Sequence, residues 1–365
     1  MIFGKQQENA IRAVDYWLKN DTKSKPWFYL AGFAGTGKTT IAKHMAELVG
    51  GDVIYASFTG KASLRMRQVG CEGASTIHSL LYVPKVNEKT GEVHFKFNKD
   101  SIINTTKLVI IDECSMVDDK LAADLLWYKK PILVLGDPAQ LPPVNGEGFF
   151  TRGDPDILLT EIHRQAKENP IIWMATKIRE GGSLSQGNYG SSKVTSKYIA
   201  NDVVASDQII VGRNLTKDTT NNRVRTKLGF TSEFPEKGEK IICLSNVKDL
   251  GFFNGGMYDV VGCKDILSRP GFMKLHLFSL DEEYEQFAIA HKYLFSPEFD
   301  KPDWKMLRGT QEFDFAYAIT CHKAQGSQWD NVYVNDESFC FREKSANWLY
   351  TAITRASETV TIFRK

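Results

Sequence analysis

The stretch "WFYLAGFAGTGKTTIAKHMAELVG", residues 27–50, decides the fold. "WFYLAG" reads as a short buried strand stopped by glycine, and "KTTIAKHMAELVG" as a helix with a glycine stop of its own. Between them, Gly32–Thr40 matches G-x-x-x-x-G-K-[ST]. At this spacing successive backbone N–H groups wrap a β-phosphate while the helix N-terminus faces it. The expected nucleotide-binding residues are Gly35, Thr36, Gly37, Lys38, Thr39 and Thr40. Lys38 would reach the β- and γ-phosphates, and Thr39 would offer a hydroxyl to Mg²⁺. A glycine-rich turn that binds nothing is the bland alternative, and the strand and helix in register argue against it.

Working outward, "DVIYASF" (52–58), "KLVIIDE" (107–113) and "ILVLGD" (132–137) read as further strands alternating with helices. That pattern predicts an α/β fold with a mainly parallel sheet and ligands at the strands' C-terminal ends. Gly32, Thr59, Asp112 and Asp137 then share one rim. Two carboxylates ending an apolar strand are costly to bury unless a metal compensates them. Asp112 is therefore expected to hold Mg²⁺, and Glu113 to polarise the attacking water as general base. The turn "GDPAQLPP" (136–143) leaves its strand through prolines that stiffen it around Gln140. Gln140 suits a sensor that bonds the γ-phosphate and passes its loss onward.

With 365 residues and a net charge of +2, the chain has room for several small domains, and its charge neither demands nor excludes nucleic acid. The six cysteines are scattered without a C-x-x-C pair, which argues against a zinc site or disulfide framework and suits a reducing cytosol. Neither a secretory signal nor an apolar run of membrane-spanning length is evident.

"YVPKVNEKTGEVHFKF" (82–97) reads as a β-hairpin, with Phe95 and Phe97 on its second strand. A second α/β pattern starts near residue 155, with "NPIIWMATKIREGG" as helix and "DQIIVG" as strand. Short strands separated by Gly, Asn and Pro over 231–310 suggest a small β-barrel insertion, after which the α/β pattern resumes.

The ordered motifs "QENA", "GFAGTGKT", "ASFTGKAS", "STIHSLL", "IDECSMVD", "LGDPAQLPPV", "EIHRQ", "AITCHKAQGSQWD" and "LYTAITRA" run through nearly the whole chain. In these the chain resembles superfamily 1 DNA helicases of the RecD-like and Dda-like branch. The resemblance implies an ATP- and Mg²⁺-dependent motor that moves 5′→3′ on single-stranded DNA and opens a forked duplex in replication or recombination. It implies RecA-like domains at 1–78 with 108–150 and at 151–230 with 311–365. A duplex-splitting pin would occupy 79–107 and an SH3-like insertion 231–310. Gln7 would read the adenine edge, and Arg164 and Arg355 would reach the γ-phosphate from across the cleft. Thr59, Gly60, Lys61, Thr76 and His78 would meet the DNA backbone from the first domain, and Thr320, His322, Lys323 and Gln325 from the second. Phe95 or Phe97 would stack at the fork; packing of the hairpin onto its domain is the plainer role. A stand-alone monomer is expected, partnered by DNA and by a single-strand-binding or replication protein, with no membrane. His163 stands where related proteins place an aromatic residue on adenine. A P-loop kinase or switch would need none of the DNA motifs, and an RNA motor of the same architecture would share them all.

Overall fold

The computed structural model describes residues 3–86, 93–142, 148–162, 168–245, 252, 254–280 and 284–365. Two six-stranded sheets carry the chain. The first comprises β1 (Trp27–Gly32), β2 (Val53–Ser57), β3 (Ser75–Thr76), β6 (Leu108–Asp112), β7 (Ile132–Gly136) and β8 (Ile157–Leu159). They lie in the order β3-β2-β6-β7-β1-β8, all parallel. Near-continuous apolar runs suit such strands because both faces are covered. Phe28 and Leu30 point to α1 (Lys5–Asn20) and α2 (Lys38–Val49), meeting Val14, Trp17, Ile41 and Met45. Tyr29 and Ala31 point the other way, into the core shared with α4 (Ile77–Leu81) and α5 (Asp119–Leu126). The strand Ile157–Leu159 pairs with β1, so the first sheet continues past residue 150, where the sequence reading ends it. It joins because parallel addition to the edge of β1 covers an otherwise open ladder.

Between α4 and β6 rises a two-stranded antiparallel ribbon, β4 (Tyr82–Val86) and β5 (Val93–Phe97). The second sheet runs β17-β11-β18-β19-β10-β9. Its strands are β9 (Gly187–Tyr189), β10 (Ser192–Thr195), β11 (Gln208–Val211), β17 (Ala318–Thr320), β18 (Trp329–Asn335) and β19 (Ala356–Phe363), parallel except for β9 against β10. The helices of this second unit are α6 (Pro170–Arg179), α7 (Ala200–Val204), α8 (Asn214–Leu228) and α9 (Ser345–Ile353). Every residue of α9 from Trp348 to Ile353 is buried, as expected of a helix wedged between two bodies rather than laid on one.

Inserted before β17 is a five-stranded antiparallel sheet in the order β15-β14-β13-β12-β16. Its strands are β12 (Lys240–Cys243), β13 (Met257–Asp265), β14 (Phe272–Ser279), β15 (Glu285–His291) and β16 (Phe313–Phe315), around a core that includes Phe252, Tyr258 and Phe313. Among the described residues no helix is long and apolar enough to cross a membrane. All six cysteines are free thiols.

Candidate active site

A cavity of about 550 Å³ opens at the C-terminal ends of β1, β6 and β7, with α9 and the segment after β17 facing it from the second unit. The loop after β1 forms its floor. Gly35 (φ 79°) and Gly37 (φ 81°) hold left-handed backbone there, which only glycine adopts without cost. A Cβ on Gly32 would lie 2.6 Å from Thr36 Oγ1 and 3.1 Å from Lys38 Cγ, so this first glycine is fixed by packing. Lys38 opens α2 and donates to the carbonyls of Gly32 (2.6 Å) and Phe33 (3.3 Å). Thr40 lines the mouth, and Thr36 is buried beneath it.

Thr39 Oγ1 donates to Asp112 Oδ2 at 3.2 Å, joining the loop to the end of β6. Asp112 Oδ1 accepts the backbone N–H of Glu113 at 2.8 Å. Burial, then the neighbouring Glu113, pushes the Asp112 carboxyl above its ordinary value, against the pull of Lys38. Glu113 sits at φ 54° and ψ 46°, a left-handed conformation that costs a non-glycine residue about 1–2 kcal/mol. That twist turns its side chain off the strand into the cavity lining. Gln140 also lines the cavity, and its Oε1 is buried without a partner among the described residues. The glycine turns, the Lys38 ammonium and a hydroxyl beside a carboxylate fit a magnesium–nucleotide. Mg²⁺ suits few protein ligands plus phosphate oxygens.

The second unit contributes Arg355, only 4% exposed. Its guanidinium donates to the carbonyls of Thr351 (3.2 Å) and Ser327 (3.1 Å) and to Thr354 Oγ1 (3.2 Å). No carboxylate bonds it among the described residues, so a buried, carboxylate-free positive charge lines the cavity. Arg164 and His163 lie outside the described residues, as does the side chain of Phe95.

Two residues of the site have no role assigned from sequence, Arg65 in the cavity lining and Tyr350 buried behind its wall. Arg65, on α3 (Gly60–Gln68), faces Arg355, Asp112 and Glu113; burial and then the Arg355 charge lower its pKa. Its one sequence signal is a position one helical turn past Lys61. Tyr350 lies within "LYTAITRA", five residues before Arg355. Its hydroxyl accepts the Ala34 N–H (3.0 Å) and donates to Asp137 Oδ2 (2.6 Å), with nothing in the local sequence to announce either partner.

Several expected positions make contacts of their own within the chain. Gln7 does not line the cavity: it is buried, its Nε2 donates to the Thr36 carbonyl (3.1 Å) and its Oε1 accepts the Gly4 N–H (3.1 Å). It therefore braces the phosphate loop from behind. Lys61 lies 4.5 Å from the ring centre of Trp329 in the second unit, an ammonium over an aromatic face rather than a free phosphate contact. Gln325 is 3% exposed and donates to the Leu141 carbonyl at 2.6 Å, turned into the contact between the units. Phe97 packs at the ribbon's base against Trp127 (5.1 Å) and Tyr128 (5.5 Å), the plainer of its two roles.

The remaining backbone-contact candidates cluster on strand ends. Thr59 caps α3 through Ala62 N, with Gly60 at the helix's first position, and Thr76 caps α4 through Ser79 N. His78 is exposed beside the rings of Phe58 and Tyr82, and desolvation lowers its pKa. Thr320 ends β17, His322 rests near Phe341, and Lys323 Nζ bonds Asn254 of the five-stranded insertion.

Comparison with known proteins fits this geometry. Residues 4–195 match the family described as an AAA domain, and residues 315–363 match the UvrD-like helicase C-terminal domain. The ATP-dependent RecD2 DNA helicase of Deinococcus radiodurans is 30% identical over 349 residues, covering 90% of this chain and 46% of that protein. The ATP-dependent DNA helicase dda of Enterobacteria phage T4 is 35% identical over 192 residues, covering 48% and 42% respectively. The chain thus spans under half the length of these two relatives. Bacteroides Pif1 bound to ssDNA superposes with a TM-score of 0.60 at 19% identity, covering 99% of this chain and 92% of that one. The Pif1 helicase from Candida albicans gives 0.56 at 17%, covering 100% and 95%. From the phosphate loop, the carboxylate pair and these matches together, the chain belongs to the family described as an AAA domain, and it is similar to the RecD2 and dda helicases.

Proposed function

We propose that the protein hydrolyses ATP to move along single-stranded DNA in the 5′→3′ direction and to separate duplex ahead of it. The observation that carries this reading is a cleft with its carboxylates on one unit and a buried, carboxylate-free arginine on the other. Lys38 leaves the loop carbonyls for the phosphates, and Gln140 donates its amide N–H to the γ-phosphate while its Oε1 accepts from the attacking water. Glu113 takes the proton of the attacking water. Arg355, joined by Arg164 in this reading, meets the charge that develops on transfer, and so hydrolysis depends on the units closing. Bound Mg²⁺, held by Thr39 and Asp112, would neutralise phosphate charge.

In this reading the first domain takes 1–78 with 108–150 and the strand Ile157–Leu159, the second takes the rest of 151–230 with 311–365, a pin lies at 79–107 and an SH3-like insertion at 231–310. The strand runs over Thr59, Gly60, Thr76, His78, Thr320, His322 and Lys323, whose hydroxyls, amides and cations suit backbone contact without sequence choice. A monomer in a reducing cytoplasm, engaging forked DNA, completes the proposal. Support comes from the helicase relatives and from the Pif1 structure bound to ssDNA.

Phosphate release with and without single-stranded DNA tests it, with Lys38→Ala as the blank. Stimulation of tenfold or more that vanishes in the variant is expected. Turnover indifferent to DNA would overturn the motor reading, and equal stimulation by single-stranded RNA would overturn its restriction to DNA.

A further inference from the structure

The turn Asp137–Leu141 is held by one face of α9. Asn347, Tyr350 and Thr351 stand three and four residues apart, the spacing that lines up helical side chains. Asn347 Nδ2 donates to the Ala139 carbonyl at 3.0 Å, and Leu141 N–H donates to Thr351 Oγ1 at 2.7 Å. Tyr350 differs from its two neighbours because it touches two elements of the cavity wall at once. Its hydroxyl joins the phosphate-loop amide of Ala34 to the Asp137 carboxylate. Asp137 in turn sets the turn's shape, with Oδ1 on Ala139 N–H (3.0 Å) and its carbonyl on Gln140 N–H (3.1 Å). Both side chains are shut off from solvent or nearly so: Tyr350 is 1% exposed and Asp137 is 2% exposed. A buried hydroxyl that satisfies one donor and one carboxylate fixes both, since losing it leaves two polar groups unpaired.

We propose that Tyr350 is a positioning residue that locks the phosphate loop and the Gln140 turn into one rigid body with α9, the helix leading to Arg355. Through it, a shift of the second unit moves Gln140 and the loop together rather than one after the other. This rests on the ATP-hydrolysis reading above.

The test is Tyr350→Phe in the full chain, assayed for steady-state ATP turnover with single-stranded DNA and for ADP affinity by titration. The expected result is a kcat lowered tenfold or more, with KM for ATP and the ADP affinity within twofold of the unaltered chain. Asp137→Asn breaks the same link from the other side without changing side-chain volume. The double variant should be no slower than the worse single one. An unchanged kcat in either single variant overturns the proposal, as do fully additive losses. Loss of ADP binding together with the kcat would make Tyr350 a merely structural residue and would also overturn it. An unaltered chain without turnover would fail the hydrolysis reading itself, a result visible before any variant is read.

Discussion

Asp137 shows at the residue level what the cleft costs the folded chain. Its carboxyl is pushed above the ordinary carboxylate value by burial, against the pull of Lys38 and the hydrogen bond from Tyr350. The folded chain therefore holds a proton that the unfolded chain has released between the two pKa values. Stability falls as pH rises through that window and stays lower above it. Asp137→Asn keeps an acceptor for Ala139 N–H and removes the charge. It also turns the acceptor of the Tyr350 hydroxyl into a donor, so its Tm relative to the unaltered chain is expected to improve by about 2–4 °C from acid to neutral pH, the effect of roughly 1 kcal/mol in a chain of this class. The improvement should vanish as the pH falls through the raised pKa of the native carboxyl, which is itself protonated below it. Thermal unfolding across that range checks it; a difference independent of pH would mean that the charge is not the cause. Asp137 and Gln140 are legible in sequence because polar residues at the exit of an all-apolar strand lack a structural excuse. Tyr350 is not, because its partner Asp137 lies 213 residues away and local pattern carries no such information.

Among the elements, the segment after β17 meets α3 at a single narrow point. Gly326 holds φ 75°, and a Cβ there would stand 2.9 Å from Ala62 Cβ and 2.9 Å from Thr59 Oγ1. Gly326→Ala is thus expected to wedge the units apart, lowering DNA-stimulated turnover about tenfold, as a barrier increase of about 1.4 kcal/mol would do. Adding Ala62→Gly removes the facing methyl and should restore part of the loss, leaving the backbone strain. Paired turnover measurements read this directly, and no recovery in the double variant would place the whole effect in the backbone of Gly326. The strands of the first sheet are readable as elements because burial on both faces writes continuous apolar runs. The short edge strand β8 is harder to see: three residues, Ile157–Leu159, carry no periodicity. The phenylalanine of the ribbon's base illustrates the other limit. Sequence offers Phe97 either a fork or a core, and the rings of Trp127 and Tyr128 against which it packs lie too far along the chain for local pattern to show them.

In the whole molecule, the two units are joined across the cleft by soft contacts as well as by hydrogen bonds. Arg179 lies 3.7 Å from the ring centre of Phe33, and Lys61 lies over Trp329. A cation–π pair at an exposed site is worth about 0.5–1 kcal/mol, enough to bias closure without freezing it. Binding of a non-hydrolysable ATP analogue is therefore expected to change the emission of Trp329. The change is read as the difference between the unaltered chain and Trp329→Phe, and Lys61→Ala should reduce it. A difference spectrum blind to nucleotide would show that this contact does not move with closure. The five-stranded insertion leaves the second unit on β12 and returns on β16, and these strands pair side by side, Ile241 opposite Phe315 and Cys243 opposite Phe313. Departure and return are thus stitched together at the root, and the entropy of closing whatever lies beyond grows only slowly with length. The rest of the chain carries that appendage as a grafted branch: it can be lengthened, trimmed or exchanged while the parallel sheet beneath keeps its register.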